Sequence, residues 1–323
     1  MEKLPVGIQT FSQIREEGYV YVDKTKYMYE ITTQGKPYFL SRPRRFGKSL
    51  LISTLKELFQ GNKKLFKGLY IYDKWNWEET YPVIHIDLAG GTYNDLNDLE
   101  NKLKSIINRI ARNFQVKIYS EPLDEKFTDL ISEISKKTNK KVVILIDEYD
   151  KPIISNLQNK NLDKIQSKLG NFYEVLKTND PYIRFIFLTG VSKFAQVSVF
   201  SKLNNLDDLT LVDEFNSICG YTQEELEANF QPFIQKLADK FQISYLDALD
   251  RLKSFYDGYS WNGKVKVYNP YSTLLCFKHG EFGQEWFNTG TPSVLANYPI
   301  GAYSLESIAE PDRVTSNELK NST

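Results

Sequence analysis

The chain has 323 residues, 41% hydrophobic and 25% charged, which suits a soluble globular protein with room for more than one core and argues against fibrous and membrane-spanning classes. Its 41 basic and 41 acidic residues cancel, so no global field draws it to nucleic acid or an anionic membrane, although local basic patches remain open. Cys219 and Cys276 are too few for a disulfide framework or a zinc site and read as buried free thiols; with an N-terminus that lacks a signal-peptide pattern, the chain reads as cytoplasmic.

Between residues 38 and 190 short apolar runs alternate with amphipathic stretches. "YFLS" (38–41) predicts a strand and is followed by a helical pattern over about 48–60. "VIHIDL" (83–88) predicts a second strand, followed by helical patterns over about 95–115 and 122–138. In the first of these Leu99, Leu103, Ile106, Ile107 and Ile110 recur at helical spacing. "VVILID" (142–147), a helical stretch over about 160–178 and "RFIFLTG" (184–190) complete the series. This is the βα repeat of an α/β fold, a parallel sheet sandwiched by helices.

After residue 215 the texture changes. Thr222 followed by Glu225 makes a capping box opening a helix, Asn262-Gly263 suggests a hairpin turn, and "YNPYSTLLCFKHG" and "EWFNTGTPSVLANY" read as short helices with aromatic anchors. The division expected is a core over 1–215 and a mostly helical accessory module over 216–323.

The first candidate site is "SRPRRFGKSLL", at the junction of a predicted strand and helix. Gly47, Lys48 and Ser49 are the tail of a phosphate-binding loop. Gly47 allows close backbone approach, Lys48 reaches β- and γ-phosphates, and the Ser49 hydroxyl is suited to magnesium. Arg42 stands where such a loop opens with glycine, and Pro43 offers an alternative way to stiffen the turn. Arg44 and Arg45 add positive charge beside the expected anion. The binding stretch is therefore Arg44, Arg45, Phe46, Gly47, Lys48, Ser49 and Leu50, with Lys48 expected to stand exposed. Taken alone, the same residues also suit a solvated basic turn capping a helix.

The second is "KKVVILIDEYDK", an apolar strand ending in Asp147 and Glu148. Magnesium-dependent nucleotide hydrolysis needs such a pair at a strand tip near the loop, one carboxylate for the metal and the next to polarise the attacking water. Acids also simply terminate strands. The spacing leaves room for one further strand between the two motifs. At the end of the next strand Thr189 is placed to hold the lytic water or sense the γ-phosphate, with Ser192 as a second choice, while Thr-Gly is equally a common turn.

At these residues the chain resembles a bacterial family, the AAA-ATPase-like proteins of the P-loop NTPase superfamily, often fused to a PD-(D/E)XK-type nuclease domain. The stretches that carry the resemblance are "LPVGIQTF", "YVYVDKTKYMYEI", "FLSRPRRFGKSLLISTL", "LIDEYDKPI", "LTGVSKFAQVSVFSKLNNLDDLT", "CGYTQEEL", "YDGY" and "WFNTGTPSVL", from about residue 4 to 295. The family's loop likewise carries RPRRFGKS, so Arg42 looks like a family feature. The resemblance implies a P-loop NTPase core that binds ATP with Mg2+, followed by a helical lid-like region. Lys48, Ser49, Asp147 and Glu148 take the nucleotide, metal and catalytic roles. No arginine finger carries across; Arg109, Arg112, Arg184 and Arg251 are all open, as are Arg44 and Arg45. Longer members continue into a nuclease domain. Pro311-Asp312 and Glu318-Leu319-Lys320 are too closely spaced to build its metal site, so no intrinsic nuclease activity is expected, and a nuclease or other protein partner would act in trans. The chain is read as a truncated form or a stand-alone ATPase module.

Two functional readings follow: an ATP-hydrolysing switch coupled to a partner, or a nucleotide-gated interaction protein with little turnover. Nucleic acid as a partner is not favoured by the balanced charge, and the oligomeric state is left open.

Overall fold

A computed structural model describes residues 2–35, 37–191 and 205–283. Ser192, the stretch "WFNTGTPSVL" and the 311–320 residues lie outside the described residues. The chain separates into two compact units. One comprises Thr25–Arg42 and Leu51–Leu209; the other comprises Met1–Lys24, Pro43–Leu50 and Thr210–Thr323.

The first unit is built on a five-stranded sheet: β1 (Pro37–Ser41), β2 (Val83–Asp87), β3 (Val142–Asp147), β4 (Ile183–Gly190) and the two-residue β5 (Asp207–Asp208). Their order is β2-β3-β4-β1-β5, and every pairing is parallel. All six residues of β3 are buried, as are all of β4 except Arg184. That is the near-continuous apolar reading of a parallel sheet covered on both faces. The strands expected from the sequence are present with ends shifted by no more than one residue.

Helix α2 (Thr25–Gln34) leads into β1, and α3 (Lys48–Phe59), α4 (Leu96–Phe114), α5 (Leu123–Thr138), α6 (Lys151–Ile154) and α7 (Leu162–Thr178) supply the crossovers. On one face Leu99, Leu103, Ile107, Phe127, Leu130 and Phe172 cluster with Ile84, Ile144, Ile146 and Leu188 of the strands. On the other, Phe59 meets Phe185 with ring centroids 5.0 Å apart, and Arg184 donates to the Thr32 carbonyl at 3.2 Å. Asp95 caps α4 by accepting from the Asp98 N–H at 2.9 Å, and α4 and α5 each end on a left-handed residue, Gln115 and Asn139.

In the second unit α1 (Phe11–Glu16) precedes three helices, α8 (Gln223–Phe241), α9 (Tyr245–Tyr256) and α10 (Pro270–His279). The Thr222–Glu225 capping box opens α8 as expected, and a second one, Ser244 with Asp247, opens α9. Val20 and Val22 join Phe230, Ile234, Leu252 and Phe277 in one apolar cluster. Lys24 is 8% exposed; its ammonium donates to both Glu225 carboxylate oxygens and, at 2.8 Å, to the Ser217 carbonyl. Burial lowers the Lys24 pKa, and the neighbouring Glu225 charge opposes that shift. The Asn262-Gly263 turn is present, with Asn262 Oδ1 accepting from the Lys264 N–H, but it closes on a single antiparallel bridge, Tyr259 with Val267, instead of a hairpin ladder.

Gly190 ends β4 where nothing larger fits. A Cβ there would fall 2.3 Å from Cε1 of Tyr149 and 2.9 Å from Oδ1 of Asp150. Gly190→Ala should therefore destabilise the protein by about 2 kcal/mol or more in urea unfolding. Gly90→Ala, where the added carbon meets nothing within 4 Å, should stay within about 0.5 kcal/mol of wild type. Equal stability of the two variants would contradict the packing described.

Candidate functional site

The loop leaves β1 without a turn at its first position. The Arg42 N–H donates to the Gly190 carbonyl at 3.2 Å, carrying the β1–β4 ladder one residue further, and Arg42 is not among the residues of positive φ. Glycine is not needed there, because the left-handed conformations fall later, at Arg45 (φ 71°) and Gly47 (φ 95°). The Arg42 side chain is folded inward, 1% exposed, with Nη1 donating to the Ser41 carbonyl at 2.8 Å.

Within residues 43–50 and the C-terminal part of the same unit, the apex of the loop is gripped by aromatic side chains. Phe46 is 1% exposed and meets Tyr259 and Trp261 edge-on, with centroids 4.7 Å and 5.6 Å apart. Its carbonyl accepts from the Gly220 N–H at 3.3 Å. The Arg45 guanidinium lies over the Tyr271 ring at 4.0 Å. Lys48, expected to be exposed, is 5% exposed: its ammonium turns back onto the Pro43 carbonyl at 3.0 Å and closes the loop. A buried ammonium needs an acceptor, and the loop's own backbone provides one. A Cβ on Gly47 would meet nothing within 4 Å, so the backbone is open at the position where a phosphate oxygen would approach. Ser49 and Leu50, both half-buried, lie in the first turn of α3. Arg44 is half-buried beside them.

In the sheet unit the acids stand at the C-terminal ends of the strands. Asp147 is 3% exposed, and its Oδ1 accepts from the Thr189 hydroxyl at 2.5 Å and the Glu148 N–H at 3.0 Å. Thr189 is fully buried and aimed at this carboxylate, so it orients Asp147 directly. Glu148 is half-buried with a φ of 51°, a conformation that costs a non-glycine residue about 1–3 kcal/mol and persists only where neighbours impose it. They do so immediately: the Tyr149 N–H donates to the Thr189 carbonyl at 3.0 Å, Tyr149 packs onto Gly190, and the buried Asp150 accepts from the Val191 N–H at 2.9 Å.

Asp87, opposite Asp147 in the β2–β3 register, is exposed and accepts from the Ala89 N–H at 2.8 Å. Burial lowers the pKa of His85, against the pull of Asp87 and Asp147, which leaves this imidazole neutral near pH 7. Among the described residues no three His, Cys, Asp or Glu side chains gather as a metal cage. The Asp147 carboxylate is a hard oxygen donor of the kind that suits magnesium.

Sequence reasoning missed Tyr149, Asp150, Tyr259, Trp261 and Tyr271. The first two follow the acids directly; the other three are more than 200 residues from the loop, and no local pattern links them to it. Of the open arginines, Arg184 is at the far end of β4, five residues or about 16 Å from Thr189 along the strand. Arg109 and Arg112 are exposed on α4, and Arg251 lies beside Phe241 and Phe282.

Residues 5–200 match the family model of predicted AAA-ATPases, the AAA-ATPase-like family. The chain belongs to this family. The match takes in the loop, Asp147, Glu148 and Thr189 and ends before Tyr259, Trp261 and Tyr271. An uncharacterized protein in the vnfD 5' region of Azotobacter chroococcum mcd 1 is 43% identical over 298 residues, 92% of this chain. The chain spans 56% of that relative's length. Among solved structures, the Aeropyrum pernix ORC2 protein in its ADPNP–ADP complexes is 12% identical with a TM-score of 0.41, covering 95% of this family member and 81% of that chain. Among the described residues, no helix is long and apolar enough to cross a membrane.

The grip on the loop apex is testable without any ligand. Phe46→Ala should lower stability in urea by about 3–5 kcal/mol, as for other buried phenylalanines, while Arg44→Ala stays within about 0.5 kcal/mol. A Phe46→Ala protein as stable as Arg44→Ala would mean the aromatic contacts do not hold the loop.

Proposed function

We propose that the chain is an ATPase, binding ATP with Mg2+ through Arg44–Leu50 and hydrolysing it with Glu148 as general base. Residues 1–215 would form the ATPase core and 216–323 an accessory module, in the cytoplasm. One observation carries most of the weight. The strand that feeds the loop and the strand that ends in the acids are parallel and separated by β4 alone, so both motifs issue from one edge of the sheet. Membership of a family of predicted AAA-ATPases supports the same reading.

Each residue has a distinct task in it. Lys48 would exchange its bond to the Pro43 carbonyl for phosphate oxygens, and the open backbone at Gly47 would admit them. The N–H groups of Ser49 and Leu50 would donate to the same phosphates. Ser49 Oγ and Asp147 would hold magnesium, which would neutralise charge on the β- and γ-phosphate oxygens. Thr189 would act through Asp147, fixing its carboxylate. Glu148 would take a proton from water as the water oxygen attacks the γ-phosphorus. The bond to the β–γ bridging oxygen then breaks, leaving ADP and phosphate.

The alternative of a nucleotide-gated interaction protein uses the same residues, and phosphate release separates the two. A nuclease or other protein partner acting in trans would couple through the accessory module.

Lys48→Ala should lower ATP affinity by about tenfold or more in calorimetric titration, with thermal unfolding used to verify that the variant is folded. Glu148→Gln should keep ATP affinity within about threefold while phosphate release falls by about a hundredfold or more. Full affinity in a folded Lys48→Ala protein would sink the site; wild-type turnover in Glu148→Gln would reduce Glu148 to a strand-end acid.

A further inference from the structure

We infer that Tyr271 is a positioning residue which presents the Arg45 guanidinium to the terminal phosphate of a nucleoside triphosphate, so that the loop supplies its own charge-stabilising arginine. This rests on the nucleotide site proposed above.

Arg45 is held from both ends. Its backbone is in the left-handed region, at φ 71°, which a long side chain adopts only under constraint, and the neighbouring Phe46 is locked between Tyr259 and Trp261. Its side chain reaches the Tyr271 ring at 4.0 Å. Tyr271 is itself on a fixed support, one residue into α10. Pro270 stands at the first helical position, and Asn269 Oδ1 caps the helix by accepting from the Ser272 N–H at 3.1 Å.

The chemistry favours this over a merely structural contact. A cation–π contact uses the guanidinium carbon against the ring and consumes none of the five N–H donors, which remain for phosphate oxygens. Arg45 is two residues before Gly47, whose backbone is open, and three before Lys48, so a second cation is fixed at the same short loop. An aromatic ring that sets the direction of an arginine removes much of the rotamer freedom the side chain would otherwise lose on meeting phosphate. A guanidinium aimed at the terminal phosphate distinguishes triphosphate from diphosphate, and that preference is the quantity to measure.

The experiment compares AMP-PNP with ADP by calorimetry in magnesium, for wild type, Arg45→Ala, Arg45→Lys, Tyr271→Leu and Tyr271→Phe, alongside kcat and KM for ATP. Arg45→Ala and Tyr271→Leu should each reduce the preference for AMP-PNP over ADP by about fivefold or more. Arg45→Lys, which keeps the charge and loses the planar fork, should behave like Arg45→Ala. Tyr271→Phe, which keeps the ring, should restore the preference, and the losses should fall on kcat more than on KM. Equal weakening of ADP and AMP-PNP in Tyr271→Leu would make the contact a structural clamp and overturn the inference. If Tyr271→Leu does not fold, Arg45→Ala and Arg45→Lys decide, and an unchanged preference in either overturns it. Nucleotide binding that is absent, or indifferent to Lys48→Ala, would overturn the nucleotide site and this inference together. Binding that needs Lys48 but ignores Tyr271 would overturn this inference alone.

Discussion

Strand β4 is hydrogen-bonded along both edges, to β1 through Ile186–Gly190 and to β3 through Ile183–Leu188, and this double pairing sets the height at which the loop and the acids leave the sheet. Parallel strands joined by helical crossovers all end on the same edge. The register then brings the tips of β1, β4 and β3 level, and Gly190 completes it, because Tyr149 packs where any side chain on that residue would stand. Thr189, one residue earlier, uses its hydroxyl on Asp147 and its carbonyl on Tyr149. One strand end thus holds the Asp147 carboxylate and, through Tyr149, the backbone turn that contains Glu148.

Five described non-glycine residues carry left-handed backbone; Gln115, Asn139 and Gln242 end helices, and the other two are Arg45 in the loop and Glu148 after the acid strand. Each of these two is followed at once by a buried aromatic, Phe46 and Tyr149, and each is a residue whose side chain has a chemical part in the proposed reaction. Burial of the aromatic offsets the backbone strain of its neighbour. The Lys24–Glu225 pair belongs to the same economy of multiple use. A single carboxylate completes the α8 capping box, accepting from the Thr222 N–H at 2.9 Å, and neutralises a buried ammonium from the N-terminal segment.

Much of the sheet was legible because its strands are apolar and unbroken while its helices alternate, and the two periods do not overlap in "VVILID" and "LENKLKSIINRIARNF". The capping box at Thr222 was legible for the same local reason. The exposure of Lys48 was misjudged because the Pro43 carbonyl that receives its ammonium has no signature in sequence. Arg42 was a puzzle only while the first loop position was assumed to turn; once the ladder to Gly190 is seen, arginine is as acceptable there as any residue. Tyr271 and Trp261 were invisible, since a contact across more than 200 residues leaves no spacing to read. Nor does any pattern signal that residues 1–24 and 43–50 group with the C-terminal residues.

The account stands on the loop and the acid strand serving one magnesium-bound nucleotide. The direct test is a double-mutant cycle on the magnesium dependence of ATP affinity, using Ser49→Ala, Asp147→Asn and the two together. If both residues hold the same ion, the double variant should lose no more magnesium dependence than the worse of the two single variants. Losses that simply add would mean that Ser49 and Asp147 act at separate places, and would contradict a shared site.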